Sequence, residues 1–146
     1  MRPVRVDSTM LEQLAALERE AFVHPWSQDA LALLCGDTAF GFAVFEDGRA
    51  VSYGGMLTVL DEGQVTNITT HPDHRRRGLA ATVLGAMLEE ARARGLSFVT
   101  LEARESNLPA IALYQKMGFE VVGHRPRFYT APVEGALIMQ CNLKGN

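Results

Sequence analysis

A chain of 146 residues, 47% hydrophobic and 21% charged, has the make-up of a soluble globular protein that buries one sizeable core. Its net charge of −3 excludes a surface built as a whole to grip nucleic acid, so no direct nucleic-acid binding is expected. No apolar run approaches the roughly 20 residues that cross a bilayer, and Arg2-Pro3-Val4-Arg5-Val6-Asp7 lacks the apolar core of a signal peptide, so a cytoplasmic protein without membrane contact is expected. Residues near 2–6 alternate like a strand. Met10, Leu14, Leu17 and Ala21 then recur at helical spacing, with a cap expected at Ser8 or Thr9 and Glu12 in the first turn. Pro25 and Ser27 interrupt, and Ser27 is placed to cap a short second helix through Leu34. Phe40–Phe45 and Ala50–Leu60 read as strands joined at Asp47-Gly48, a strong hairpin signal. Glu62-Gly63 reads as a turn into residues 64–70, where β-branched side chains dominate up to Pro72.

Leu79, Val83, Leu84, Met87, Leu88 and Ala91 mark a long amphipathic helix with Gly95 at its C-cap. Ser97–Glu102 is a further strand, Asn107–Met117 a helix ended by Gly118, and two strands close the chain near 119–124 and 134–143. The order is β-αα-βββ-α-β-α-ββ, without linker, repeat or low-complexity tract, as expected of a single α/β domain over 1–146. A crossover through the long helix makes strands 64–70 and 97–102 parallel, whereas the flanking hairpins are antiparallel, so the sheet is mixed. Cys35 and Cys141 sit far apart in apolar contexts and are expected to be buried free thiols.

Arg75-Arg76-Arg77-Gly78-Leu79-Ala80 lies between the 64–70 strand and the long helix. Unpaired N–H groups at a helix start, the macrodipole, a glycine that admits close approach and three arginines together suit a phosphorylated ligand. Neither G-x-x-x-x-G-K-[ST] nor G-x-G-x-x-G is present, so an NTPase or dinucleotide fold is not indicated. His71 and His74 flank Pro72 in a turn without a third ligand, which argues against zinc; no metal is expected. No G-x-S-x-G elbow exists for a hydrolase.

The segment resembles the Q/R-x-x-G-x-G/A signature of the GNAT acetyltransferases, with Arg75, Gly78 and Ala80 at its fixed positions. His24-Pro25-Trp26-Ser27, Leu101-Glu102-Ala103-Arg104-Glu105-Ser106-Asn107 and Ala112-Leu113-Tyr114-Gln115-Lys116-Met117-Gly118-Phe119 are similar to three segments of the branch that acetylates ribosomal-protein alanine. The resemblance covers essentially the whole chain. It implies the GNAT fold, in which two parallel strands splay apart, and acetyl-CoA as cosubstrate. Its pantetheine arm would lie along Ile68, Thr69 and Thr70, its pyrophosphate against Arg75, Arg76, Arg77, Gly78, Leu79, Ala80 and Ala81, with a further contact from Asn107, which also suits an N-cap.

The resemblance further implies Glu102 as general base and Tyr114 as general acid. A protein α-amine titrates near 7.7–8.0, well below lysine, so a carboxylate acting through water would suffice. Taken by themselves, Glu102 also fits a surface ion pair with Arg104, and Tyr114 a core aromatic. Trp26 fits either the core or an acceptor groove. Phe128 and Tyr129, placed in a loop between the last two strands, resemble the aromatics over the acceptor site, although Arg127-Phe128-Tyr129 departs from the usual Asn-Tyr-Tyr. The implied acceptor is the basic N-terminal tail of a small-subunit ribosomal protein that begins with alanine. A small-molecule amine or a lysine side chain, and a non-catalytic acetyl-CoA-binding module, are the alternatives.

Overall fold

The computed structural model describes residues 2–130 and 132–144. Seven strands form one sheet in the order β1-β2-β3-β4-β5-β7-β6. They are β1 (Val4–Arg5), β2 (Ala39–Glu46), β3 (Arg49–Val59), β4 (Glu62–Thr70), β5 (Phe98–Arg104), β6 (Glu120–Thr130) and β7 (Val133–Asn142). The helices are α1 (Leu11–Ala21), the single turn α2 (Gln28–Leu31), α3 (Leu79–Ala93) and α4 (Leu108–Lys116). Only β4 and β5 pair in parallel; every other ladder is antiparallel.

Two cores occupy the two faces of this sheet. α3 turns Val83, Leu84, Met87 and Leu88 onto one face, where they meet Val99, Leu101, Ile111, Phe119 and Met139. α1, α2 and the 3₁₀ turn Ala32–Cys35 that follows it bury Leu14, Leu17, Leu31 and Leu34 against Ala43 and Tyr53 on the other. Each such large side chain, fully buried, contributes about 1.5–3 kcal/mol, so the helical faces that the apolar spacing marks are what hold α1 and α3 in place. No helix among the described residues is long and apolar enough to cross a membrane.

Four local expectations are corrected. Asp7, not Ser8 or Thr9, supplies the first cap: its carboxylate accepts from Thr9 N at 2.9 Å and opens a 3₁₀ turn ahead of α1. The β3–β4 turn is Leu60-Asp61, with Leu60 in the left-handed region at φ 54°, and Glu62-Gly63 already lies in β4. Gly63 is there for space, since a Cβ would lie 2.7 Å from Met56 Sδ. Cys35 is exposed rather than buried, although both cysteines are free. Phe128 and Tyr129 lie within β6, not in a loop. Pro126 has no N–H for the ladder, and residues 126–128 bulge between the Arg125–Ala136 and Tyr129–Glu134 pairs.

The site follows from how β4 and β5 part. Their pairing runs from Glu62–Phe98 to Gln64–Thr100 and stops, while β4 continues to Thr70 and β5 to Arg104. A bulge sits in β4 where Gly55 faces Asn67 and Met56 faces Val65, leaving Thr66 without an opposite number. The extra residue bends β4 away from its neighbour, and backbone groups past Gln64 face a gap instead of a strand.

Candidate active site

The end of β4 leads through a short 3₁₀ turn at Pro72–His74 into the basic loop and α3. Gly78 stands at the α3 N-cap with φ 76°, and a Cβ built on it would meet nothing within 4 Å. No side chain caps this helix start. The N–H groups of Leu79, Ala80 and Ala81, which have no partner inside a helix, therefore point into open space. Such an arrangement suits an anion.

A cleft of about 630 Å³ runs from this cradle along the parted strand. Ile68–Thr70 of β4, Arg75 and Arg76, Gly78–Ala81, and Asn107 with Tyr114 of α4 all line it. The Asn107 side chain accepts from Ala110 N at 3.3 Å and caps α4 while lining the cleft. Arg77 turns away and bonds Glu46 at 2.8 Å. Sequence reasoning missed Ala21 and Phe22, which form part of the wall, and His74, weighed only as a metal ligand. The His74 Nδ1 is buried and has no hydrogen-bond partner among the described residues. A phosphorylated molecule with an extended, amide-bearing arm fits this set. N–H groups and two guanidiniums are placed for the anion, and the free edge of β4 for the arm.

Tyr114 lines this cleft, its ring centroid 6.0 Å from that of Phe119. Burial, and secondarily Tyr129, pushes its hydroxyl pKa above the ordinary tyrosine value, so it holds its proton. Glu102 does not line the cleft. Leu101 and Ala103 are buried in the α3-side core, and alternation along β5 turns Glu102 to the opposite face, exposed. It lies two residues past the last β4–β5 pair, opposite Ile138 of β7.

Two residues further along β5, on the same face, Arg104 anchors a rim built of side chains. Arg104 donates to Glu134 at 3.0 Å and to the Pro132 carbonyl at 3.2 Å, and its guanidinium lies 4.2 Å from the Tyr129 ring centroid. Ser106 N donates to the other Glu134 oxygen at 3.3 Å. Hydrogen bonds from Ser106 and then Arg104 hold the Glu134 carboxyl below its ordinary pKa. Tyr129 and Phe128 meet edge to face at 5.0 Å. Burial, then the charge of Glu102, raises the Tyr129 pKa, which places the Glu102 carboxylate within electrostatic reach of the rim. Trp26 is half-buried against the α1-side core and also lies outside the cleft. Among the described residues no group of three or more His, Cys, Asp or Glu side chains is arranged to hold a metal.

Parted parallel strands, an uncapped α3 start behind a basic loop, and a tyrosine in the lining of the cleft together make a site suited to an extended phosphorylated ligand. The chain matches the family model of the GNAT acetyltransferases over residues 11–119 and belongs to that family. GNAT enzymes take their acetyl group from acetyl-CoA, and this chain is an N-acetyltransferase of that family.

Particular relatives narrow the comparison. The chain is 33% identical over 136 residues to the [ribosomal protein bS18]-alanine N-acetyltransferase of Escherichia coli (strain K12), covering 92% of each. It is 33% identical over 131 residues to a putative [ribosomal protein bS18]-alanine N-acetyltransferase of Bacillus subtilis (strain 168), covering 88% of this chain and 87% of the relative. The crystal structure of the ribosomal-protein-S18-alanine N-acetyltransferase from Escherichia coli superposes with a TM-score of 0.90 at 31% identity, over 99% of this chain and 94% of that one.

Proposed function

We propose that this enzyme acetylates the N-terminal α-amine of a ribosomal protein that begins with alanine, by direct transfer. The observation that carries the reading is that Tyr114 lines the same cleft as the β4 edge and the α3 start. Acetyl-CoA supplies an acetyl thioester. Arg75, Arg76 and the N–H groups of Leu79–Ala81 hold its phosphates, Ile68–Thr70 bond its arm, and Asn107 contacts it. Glu102 takes the proton from the acceptor amine through water, and the Tyr114 hydroxyl gives its own proton to the departing sulfur. Burial supports this role for Tyr114, since a phenol kept neutral across the physiological range has a proton to give.

Trp26, Phe128 and Tyr129 form the acceptor walls in this reading. A short first side chain suits an amine that must reach the thioester from between aromatic rings. The net charge of −3 suits the basic tail of a ribosomal protein. The names of the relatives at 33% identity support the same acceptor. The test is turnover of peptides beginning with Ala and followed by basic residues, with the product mapped by tandem mass spectrometry. Acetylation at the α-amine is expected. Comparable labelling of a lysine in an N-terminally blocked copy would overturn the α-amine assignment. Turnover of a polyamine with no peptide modified would overturn the ribosomal one.

A further inference from the structure

Glu18 is fully buried on α1, yet no Lys, Arg or His among the described residues forms an ion pair with it. Neutral donors surround its carboxylate. Oε2 accepts from the Tyr53 hydroxyl at 2.6 Å, Asn67 Nδ2 at 2.8 Å and the Thr69 hydroxyl at 3.3 Å. Oε1 accepts from the Trp26 backbone N–H at 2.9 Å. The main-chain carbonyl of Glu18 accepts from Phe22 N, also at 2.9 Å. One residue thus fastens both ends of the 22–26 loop and, through its other oxygen, the parted portion of β4. An apolar side chain in this place would cost less than a buried carboxylate without a cation. Four donors meeting on one group fix the relative position of three chain segments, which an apolar side chain cannot do.

We infer that Glu18 is a positioning residue that locks the Phe22–Trp26 acceptor loop to the cofactor-lining strand β4. Phe22 lines the cleft and Trp26 is an acceptor wall in the function proposed above, on which this inference rests for its kinetic consequence. Thr69 and Asn67 turn to Glu18 on the α1 face, while Ile68 packs toward α3. The loop that receives the amine and the strand that lines the acetyl donor's cleft are therefore held in register by a single carboxylate. Reacting atoms must come within about 3–3.5 Å, so looseness between these two segments reduces productive encounters.

The test is Glu18→Gln. Its amide oxygen can still accept from Tyr53, Asn67 and Thr69, and its NH₂ then faces the Trp26 N–H, donor against donor. The acceptor loop is released while β4 stays in place. Acceptor-peptide KM should rise about tenfold or more, with acetyl-CoA Kd changed less than about twofold. Trp26 is the only tryptophan in the chain, so its emission and acrylamide quenching report the loop directly. Both should change in Glu18→Gln. In Tyr53→Phe, which removes a donor on Oε2 but leaves the Trp26 bond, the melting temperature should fall with Trp26 emission unmoved. If both variants shift Trp26 equally, or Glu18→Gln moves neither Trp26 nor acceptor KM, the inference is overturned. Should Glu18→Gln fail to fold, amide hydrogen exchange on the unmodified protein decides. The Trp26 N–H should be protected like the β4 amides although it lies in a loop; rapid exchange would overturn the lock. The emission and exchange measurements need no acceptor, so an enzyme inactive on the Ala peptide refutes the acceptor assignment and leaves this inference to be judged on its own.

Discussion

The cleft along β4 and the rim of side chains on β5, β6 and β7 are built in different ways. The cleft is built around main-chain groups, the β4 edge and the bare start of α3 with Gly78, Ala80 and Ala81, to which Arg75, Arg76, Asn107 and Tyr114 add side chains. The rim is made of long polar side chains that meet across the fold, as Arg104 meets Glu134 and Pro132, and His124 meets Glu105 at 2.7 Å. Backbone geometry comes with the fold and accepts many sequences. A side-chain rim can be redrawn by a few substitutions. In the function proposed above, the cosubstrate is held mainly through backbone geometry and the acceptor by side chains that a few substitutions can alter.

Mutations on the two sides should separate in their kinetics. The largest effect is expected from Tyr114→Phe, with kcat lower by about 10²–10⁴ and acetyl-CoA affinity little changed. Full activity in this variant would make the tyrosine structural. Because the Tyr114 pKa is raised, its loss of proton should not limit the wild-type rate until above the ordinary tyrosine value near 10. An alkaline limb below that value, absent in Tyr114→Phe, would contradict this.

Glu102→Gln comes next. Turnover should fall by about 10² below the α-amine pKa and recover in part above it, where the amine is already neutral. A pH-rate profile parallel to wild type would exclude the base role. On the cleft side, Arg75→Ala together with Arg76→Ala should weaken acetyl-CoA binding about tenfold or more at low salt, measured by titration calorimetry. Arg77→Ala, whose guanidinium bonds Glu46, should change it much less. Equal losses from Arg77 and the other two would break the assignment of the cradle.

The smallest effects belong to the rim. Arg104→Ala removes two hydrogen bonds and the stacking on Tyr129, and should raise acceptor KM by about three- to tenfold with acetyl-CoA affinity intact. Glu134 shows the accompanying pH dependence. Its folded pKa is depressed, so its contribution is complete above the ordinary glutamate value and lost as pH falls through and below it. Thermal melts should therefore bring wild type and Glu134→Gln together at low pH and separate them at neutrality.

Much of this was readable along the chain because it depends on neighbours in sequence. Helical spacing marked the buried faces of α1 and α3, Asp47-Gly48 marked the β2–β3 turn, and Arg75–Ala80 marked the cradle. The misplaced details were those where a local signal has two physical meanings. Gly63 reads as a turn but serves close packing under Met56. Phe128 and Tyr129 follow a proline and read as loop, yet a bulge carries them within β6.

By itself the sequence determined the element order, the cores' periodicity and the basic, glycine-bearing loop that opens α3, all properties of consecutive residues. Only the tertiary structure decided where β4 leaves β5, which arginines reach the cleft, and that Glu18 gathers Tyr53, Asn67, Thr69 and Trp26. Those contacts join residues 8 to 51 positions apart, and no local propensity encodes a distance that only folding brings to a few ångströms.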